Sequence, residues 1–214
     1  MSKACPHYLA YTFAHWLAAV LIAAGGTQID VLDMNNSGVY FLVSLATLGI
    51  LFTLAFVPNG ILKYILFITF SLLIGLTLQP LENRLQEQGL LFEVLILSLG
   101  IFLPMVALGF YDKLNLLPWT NYLMAGLFGL IIARLTLLGL AMTGYYNDKN
   151  IRTASKVLST FAVALFALFT TYDVENLRIE AKACKGNPDY IDASLGLFLD
   201  ALNLFGSVGD ILSD

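Results

Sequence analysis

The sequence predicts an all-α, polytopic membrane protein, a bundle of seven transmembrane helices. Only 12% of its 214 residues are charged, against about 25% in a typical soluble domain. Hydrophobic residues make up 58% of the chain, and the mean hydropathy is +0.80. A chain this short must still cover its surface with polar groups if water surrounds it. A soluble fold is therefore excluded, and the net charge of −4 also argues against nucleic-acid binding because it repels phosphate.

Seven stretches are long and apolar enough to cross a bilayer, for which about 20 residues are needed. They cover approximately residues 8–24, 39–57, 61–79, 89–111, 119–142, 156–178 and 190–208. The connections between them are short. We therefore expect a single seven-helix transmembrane domain over residues 1–214, with the lipid bilayer as its principal partner and without an extramembrane domain.

Glycine, proline and charge mark the ends of the first three stretches. The first ends at Gly25-Gly26, and we expect it to be retained as a helix, since six further spans follow it. The second contains no charge and stops at Pro58-Asn59-Gly60. The third carries Lys63 near its start, where a long side chain can reach the interface.

The last four stretches each carry an ionisable residue. The fourth contains Glu93, and the fifth begins at Trp119, a typical interfacial anchor, and contains Arg134. The sixth contains Asp173, and the seventh contains Asp200. An ionisable side chain at the centre of a membrane helix costs about 2.5–3.5 kcal/mol on insertion scales, so each of these residues calls for a reason.

Lys and Arg in the short loops predict the orientation of the chain. With seven spans the chain ends lie on opposite faces, and six of the basic residues fall on the N-terminal face against four on the other. This bias favours a cytoplasmic N-terminus. Cys5 and Cys184 would then both face a reducing compartment, and we expect them to be free thiols.

Asp173 and Asp200 are predicted to lie at one depth. Asp173 lies about 13 residues before Gly186 in the connecting turn, and Asp200 lies about 14 after it, so the rise along both helices is similar. A small, polar stripe supports an inward orientation of Asp200, since its members recur every three or four residues. The stripe consists of Asp192, Gly196, Asp200, Asn203 and Ser207. Thr170 shares a helix face with Asp173.

Two carboxyl groups close together in a low dielectric cannot both ionise cheaply, so they are expected to share a proton. Such a pair is suited to a pH-sensitive gate or to a cation way-station. It is a poor tight calcium site, because calcium takes six to eight oxygen ligands. The alternative is that the shared proton only clips the two helices together.

Glu93 and Arg134 are predicted to meet by the same argument. Each lies about 20 residues from the turn around Lys113-Leu114. Because an unpaired buried arginine is costly, the simplest interpretation is a structural ion pair. Participation of this pair in an ion path stays open.

Segment six carries Tyr172-Asp173, and segment seven carries Asp200 followed by Asn203-Leu204-Phe205. In these motifs the chain resembles the transmembrane BAX inhibitor motif family, whose members are Bax inhibitor-like membrane proteins. The run from Gly75 to Leu78, Gly-Leu-Thr-Leu, is similar to the third helix of the family, and residues 126–133 resemble the fifth. The resemblance covers most of the chain, and the helix-seven motif is its most specific part.

The resemblance implies a pH-sensitive calcium leak channel with a role in calcium homeostasis or in inhibition of cell death. It places the pH-sensing pair, in transient contact with calcium, on Asp173 and Asp200. No cofactor is implied besides calcium as the permeant ion. The family pattern has a basic latch on the pair in helix two; here Lys63 is the nearest candidate. An endomembrane is implied for a eukaryotic or viral chain, and the inner membrane for a bacterial one.

Two other function classes are compatible with a Tyr-Asp pair in helix six. Intramembrane aspartyl proteases also carry Tyr-Asp there, but they have Gly-x-Gly before the second aspartate, where this chain has Leu197-Phe198-Leu199. We therefore do not expect an enzyme. A non-conducting structural or regulatory adaptor for other membrane proteins, with the aspartates as a clip, is the main alternative.

Overall fold

Seven long helices occur in the part of the chain that the structure, a computed structural model, describes. The structure describes residues 5, 7–111, 115–142, 148–184, 186 and 188–213. The helices are α1 (Tyr8–Gly26), α2 (Ser37–Phe56), α3 (Ile61–Glu87), α4 (Leu91–Gly109), α5 (Thr120–Met142), α6 (Asp148–Ala183) and α7 (Tyr190–Leu212). A short 3₁₀ turn, Leu117–Trp119, precedes α5.

The predicted all-α, polytopic fold class is confirmed. All seven predicted spans are helices long and apolar enough to cross a membrane, and no strand occurs in the described ranges. Two helices extend well beyond the predicted spans. The helix α3 continues to Glu87 through a polar segment, and α6 begins at Asp148. The apolar run marks where a helix leaves the hydrocarbon, whereas backbone hydrogen bonding continues into the interface.

The chain divides into two compact units. The first contains residues 1–87 and 179–198, and the second contains residues 88–178 and 199–214. Both α6 and α7 contribute residues to each unit. The first unit thus contains the end of α6 and the start of α7, and the second contains the parts of α6 and α7 that carry Asp173 and Asp200.

In the first unit, α1 and α3 approach each other closely at two glycines. A Cβ atom on Gly75 would lie only 2.8 Å from the Cα of Gly26, so neither position has room for a side chain. Small residues allow helix backbones to pack this closely within a membrane. One turn further along α3, Gln79 donates from Nε2 to the carbonyl oxygens of Thr27 (3.1 Å) and Ile29 (2.7 Å), which follow the end of α1. These contacts satisfy two backbone carbonyl oxygens just beyond the end of α1.

In the second unit, α6 packs closely against α4 and α5 at glycine residues of those two helices. A Cβ atom on Gly109 would lie 2.8 Å from the carbonyl oxygen of Thr171. The Thr171 hydroxyl donates to the carbonyl oxygen of Met105 at 3.2 Å. On α5, Gly126 faces the side chain of Leu165. These contacts hold the part of α6 that carries Asp173 against its neighbours.

Cys5 and Cys184 form a disulfide bond, with their Cα atoms 5.7 Å apart. The expectation of free thiols was therefore wrong. The sequence places both cysteines on one face of the membrane, but they are 179 residues apart, and only the packing of the first unit brings them together. The bond ties the segment before α1 to the end of α6.

Replacement of Gly75 by alanine should destabilise the protein by about 1–3 kcal/mol, because the added methyl group meets backbone atoms that cannot give way. Thermal unfolding in detergent would measure this as a lower Tm. Gly49→Ala in α2 is the matched control, since a Cβ there meets nothing within 4 Å. Equal melting temperatures for the two variants would contradict the close approach of α1 and α3.

Candidate functional site

The candidate site centres on Asp200, a buried carboxyl group in α7. Asp200 is 5% exposed, and its Oδ2 atom has no hydrogen-bond partner among the described residues. Asp173 of α6 lies close enough for its charge to act on Asp200, and the side chain of Thr170 lies within hydrogen-bonding reach. All three residues belong to the second unit. The structure thus brings together the two carboxyl groups that hairpin depth had paired.

Thr170 supports the pair from the neighbouring turn of α6. Its side chain is fully buried, and its hydroxyl donates to the carbonyl oxygen of Phe166 at 2.8 Å, one turn earlier in the same helix. Thr170 and Asp173 are three residues apart, so they share a helix face. Both side chains act on Asp200, so this face of α6 is turned toward α7.

The predicted polar stripe of α7 divides between the two units. Ser207 is buried, and Asn203 is half-buried and donates to the carbonyl oxygen of Leu199 at 2.8 Å. Both belong to the second unit with Asp200, whereas Asp192 belongs to the first. Within the second unit the stripe leads from Asp200 toward the C-terminal end of α7.

Serine side chains connect Arg134 to Asp210 at this end of the second unit. Arg134 Nη2 lies 3.4 Å from Ser159 Oγ and 3.2 Å from Ser207 Oγ. Ser159 and Ser155 donate in turn to Asp210 Oδ2, at 2.6 and 2.8 Å. The guanidinium group and the carboxylate are therefore joined through Ser159 across α5, α6 and α7.

The predicted ion pair between Glu93 and Arg134 is wrong. No ion pair within 4.0 Å joins Glu93 and Arg134, both of which the structure describes. Glu93 is exposed in the first turn of α4, whereas Arg134 is directed to the two serines. Distance from a turn predicts depth along a helix, but it does not determine the direction in which a side chain points.

Lys63 is held in the first unit by two carboxylates. It is 1% exposed, and its Nζ lies 2.7 Å from Asp189 Oδ2 and 2.6 Å from Asp192 Oδ1. Asp189 precedes α7, and its Oδ1 accepts from the backbone N–H of Asp192 at 3.2 Å, which is typical of a helix N-cap. Lys63 therefore engages the start of α7, in place of the predicted latch on Asp173 and Asp200.

The sequence interpretation missed the partners of both cations. Asp210 lies three residues after Ser207 and so continues the stripe of α7 by one step, and Ser155 and Ser159 share a face of α6. Asp189 and Asp192 have the spacing of a capping pair at a helix start. These spacings can be seen in the sequence, but each one can be recognised as part of a site only when its partner residue on another helix is known.

Comparison with known proteins gives a match over nearly the whole chain. The family described as "Inhibitor of apoptosis-promoting Bax1" (Bax1-I) matches residues 5–214. An uncharacterized protein of Borreliella burgdorferi is 27% identical over 185 residues, covering 83% of this chain and 75% of that protein. An uncharacterized protein of Deinococcus radiodurans is 26% identical over 210 residues, covering 92% of this chain and 86% of that protein. With seven membrane-spanning helices and a family match from residue 5 to residue 214, the chain belongs to the Bax inhibitor-like family of multi-pass membrane proteins.

Proposed function

We propose that the protein is a pH-sensitive cation leak channel, with calcium as the permeant ion and Asp173 and Asp200 as the gating pair. The observation that carries the proposal is the buried Oδ2 atom of Asp200, which has no hydrogen-bond partner among the described residues. A buried polar atom of this kind costs free energy unless something satisfies it. A proton or a passing cation would do so.

Protonation would close the pair. The Thr170 hydroxyl lies within hydrogen-bonding reach of both the carbonyl oxygen of Phe166 and Asp200, and its single proton can be donated to only one of them at a time. A protonated Asp200 can donate to Thr170 or share its proton with Asp173, which holds α6 and α7 together. When the proton leaves, the two carboxylates repel each other and attract a cation. Flux should therefore rise as the pH rises through the titration of the pair.

The ligand set supports transient contact with calcium, as a leak channel requires. Two carboxyl groups offer too few oxygens to hold calcium tightly, since the ion takes six to eight. Conduction needs sites that bind the ion strongly enough for it to enter and weakly enough for it to leave. Beyond the pair, Asn203 and Ser207 continue the polar stripe toward the end of α7. A calcium-homeostasis role follows from this proposal.

In proteoliposomes, calcium flux of the wild-type protein should increase from pH 6 to pH 8. Asp173→Asn and Asp200→Asn should each flatten this dependence, because an amide neither shares nor releases the proton. Glu93→Gln is the matched control, since it removes an exposed carboxyl group in the same unit and should leave the pH profile unchanged.

Three outcomes of these flux and Tm measurements distinguish a channel from a non-conducting adaptor. A flat pH profile in both aspartate variants, with normal Tm, supports the gating pair. An unchanged profile in both variants contradicts it. Absence of flux from folded wild-type protein, together with a lower Tm in the aspartate variants, would favour a non-conducting adaptor in which the pair only clips the helices.

We also propose that the N-terminal face lies on the oxidising side of the membrane. The six-to-four bias of basic residues toward this face is small, and it predicts a cytoplasmic N-terminus. The disulfide between Cys5 and Cys184 lies on the same face, and disulfides persist in oxidising compartments. The disulfide is the more specific observation of the two.

Thiol labelling of intact cells would test this orientation. A membrane-impermeant maleimide should label the protein only after treatment with an impermeant reductant, and without cell lysis. Cys5→Ser should leave Cys184 open to labelling without the reductant. Labelling of the wild-type protein that requires lysis would instead support a cytoplasmic N-terminal face.

A further inference from the structure

Arg134 lies beside the polar stripe at a level between two carboxyl groups of α7. Its guanidinium group contacts Ser207 of α7 and Ser159 of α6. Ser207 is seven residues beyond Asp200 and three before Asp210, which places it roughly 10 Å from the first and 5 Å from the second along the helix. A cation moving along this stripe from Asp200 to Asp210 would pass the guanidinium group at close range.

Asp210 compensates Arg134 only indirectly. The shortest connection runs from Arg134 Nη2 to Ser159 Oγ and from there to Asp210 Oδ2. No carboxylate of the described residues lies within 4.0 Å of Arg134. The positive charge therefore stays effective toward an ion in the stripe, because its counter-charge lies one side chain away.

From this arrangement we propose that Arg134 is a selectivity residue of the ion path, a tethered positive charge that slows divalent cations more than monovalent ones. The proposal rests on the proposed channel function and adds a determinant of which ion passes. Charged side chains that line a pore set ion selectivity through such electrostatic barriers. The serines hold the guanidinium group in place, and Asp210 keeps it oriented through Ser159.

Electrostatics gives the proposal a quantitative form. The repulsion between Arg134 and a divalent ion is twice that for a monovalent ion at the same position. Because rates depend exponentially on barrier height, the gain in calcium flux on removing the charge should be about the square of the gain in potassium flux. A threefold gain for potassium would thus accompany a gain of about tenfold for calcium.

Arg134→Gln should therefore raise calcium flux in proteoliposomes relative to wild type, by about the square of its gain in potassium flux. Arg134→Lys retains the charge and should keep the wild-type calcium-to-potassium ratio. Arg152→Gln is the matched control, because it removes an exposed cation from α6 in the same unit and should change neither flux. If Arg134→Gln fails to fold, Arg134→Gln with Asp210→Asn replaces it. That double variant should show a higher calcium-to-potassium ratio than Asp210→Asn alone.

The outcomes distinguish this inference from the proposed gate. An unchanged calcium-to-potassium ratio in Arg134→Gln, with an intact pH response, overturns the selectivity role and leaves the gating pair standing. A raised ratio in Arg134→Gln, with an unaltered pH response in Asp173→Asn and Asp200→Asn, supports the selectivity role and overturns the gate. Absence of flux in every variant overturns both.

Discussion

Hydrocarbon cannot solvate charges or hydrogen-bonding groups, and the arrangement of polar side chains in this protein follows from that constraint. Lys63 is almost completely buried and is held by two carboxylates at the start of α7. Arg134 donates to two serines, and through one of them it is connected to Asp210. Lys63 and Arg134 are thus each provided with acceptors from other segments of the chain.

Asp200 differs from these two cations. One of its oxygens is buried without a hydrogen-bond partner in the described part of the chain, and the neighbouring charge, that of Asp173, has the same sign. A cost of this kind is unexpected in a purely structural contact, because an apolar side chain or an amide would avoid it. This contrast with the satisfied cations is the reason for assigning function to the aspartate pair.

The two basic residues differ in a way that matters for their roles. Lys63 contacts its carboxylates directly at 2.6 and 2.7 Å and is enclosed by the first unit, as expected for a group that anchors a helix start. Arg134 is exposed on α5 and reaches its carboxylate only through a serine. Direct contact with carboxylates neutralises the charge of Lys63 locally. The charge of Arg134 is separated from its carboxylate by a serine, so its electric field still acts on a nearby ion. The distinction follows from the partners of each cation and not from its type.

The sequence by itself determined the seven spans, the all-α class, the resemblance to the Bax inhibitor-like family and the common depth of Asp173 and Asp200. These features depend on the length of apolar runs and on the rise along a helix, which are local properties. The comparison of depth across the hairpin predicted the pairing of Asp173 with Asp200, because these two side chains also lie on the faces of α6 and α7 that are turned toward each other. The same argument was wrong for Glu93 and Arg134, because Arg134 contacts Ser159 and Ser207 instead.

Only the tertiary structure decided which side chains meet. The disulfide between Cys5 and Cys184, the binding of Lys63 by Asp189 and Asp192, and the connection of Arg134 to Asp210 all join residues on different segments. Their partners depend on helix rotation and on which helices are neighbours, and neither quantity is encoded in a local pattern. For the same physical reason, the lack of a partner for one oxygen of Asp200 could be recognised only once its surroundings were known.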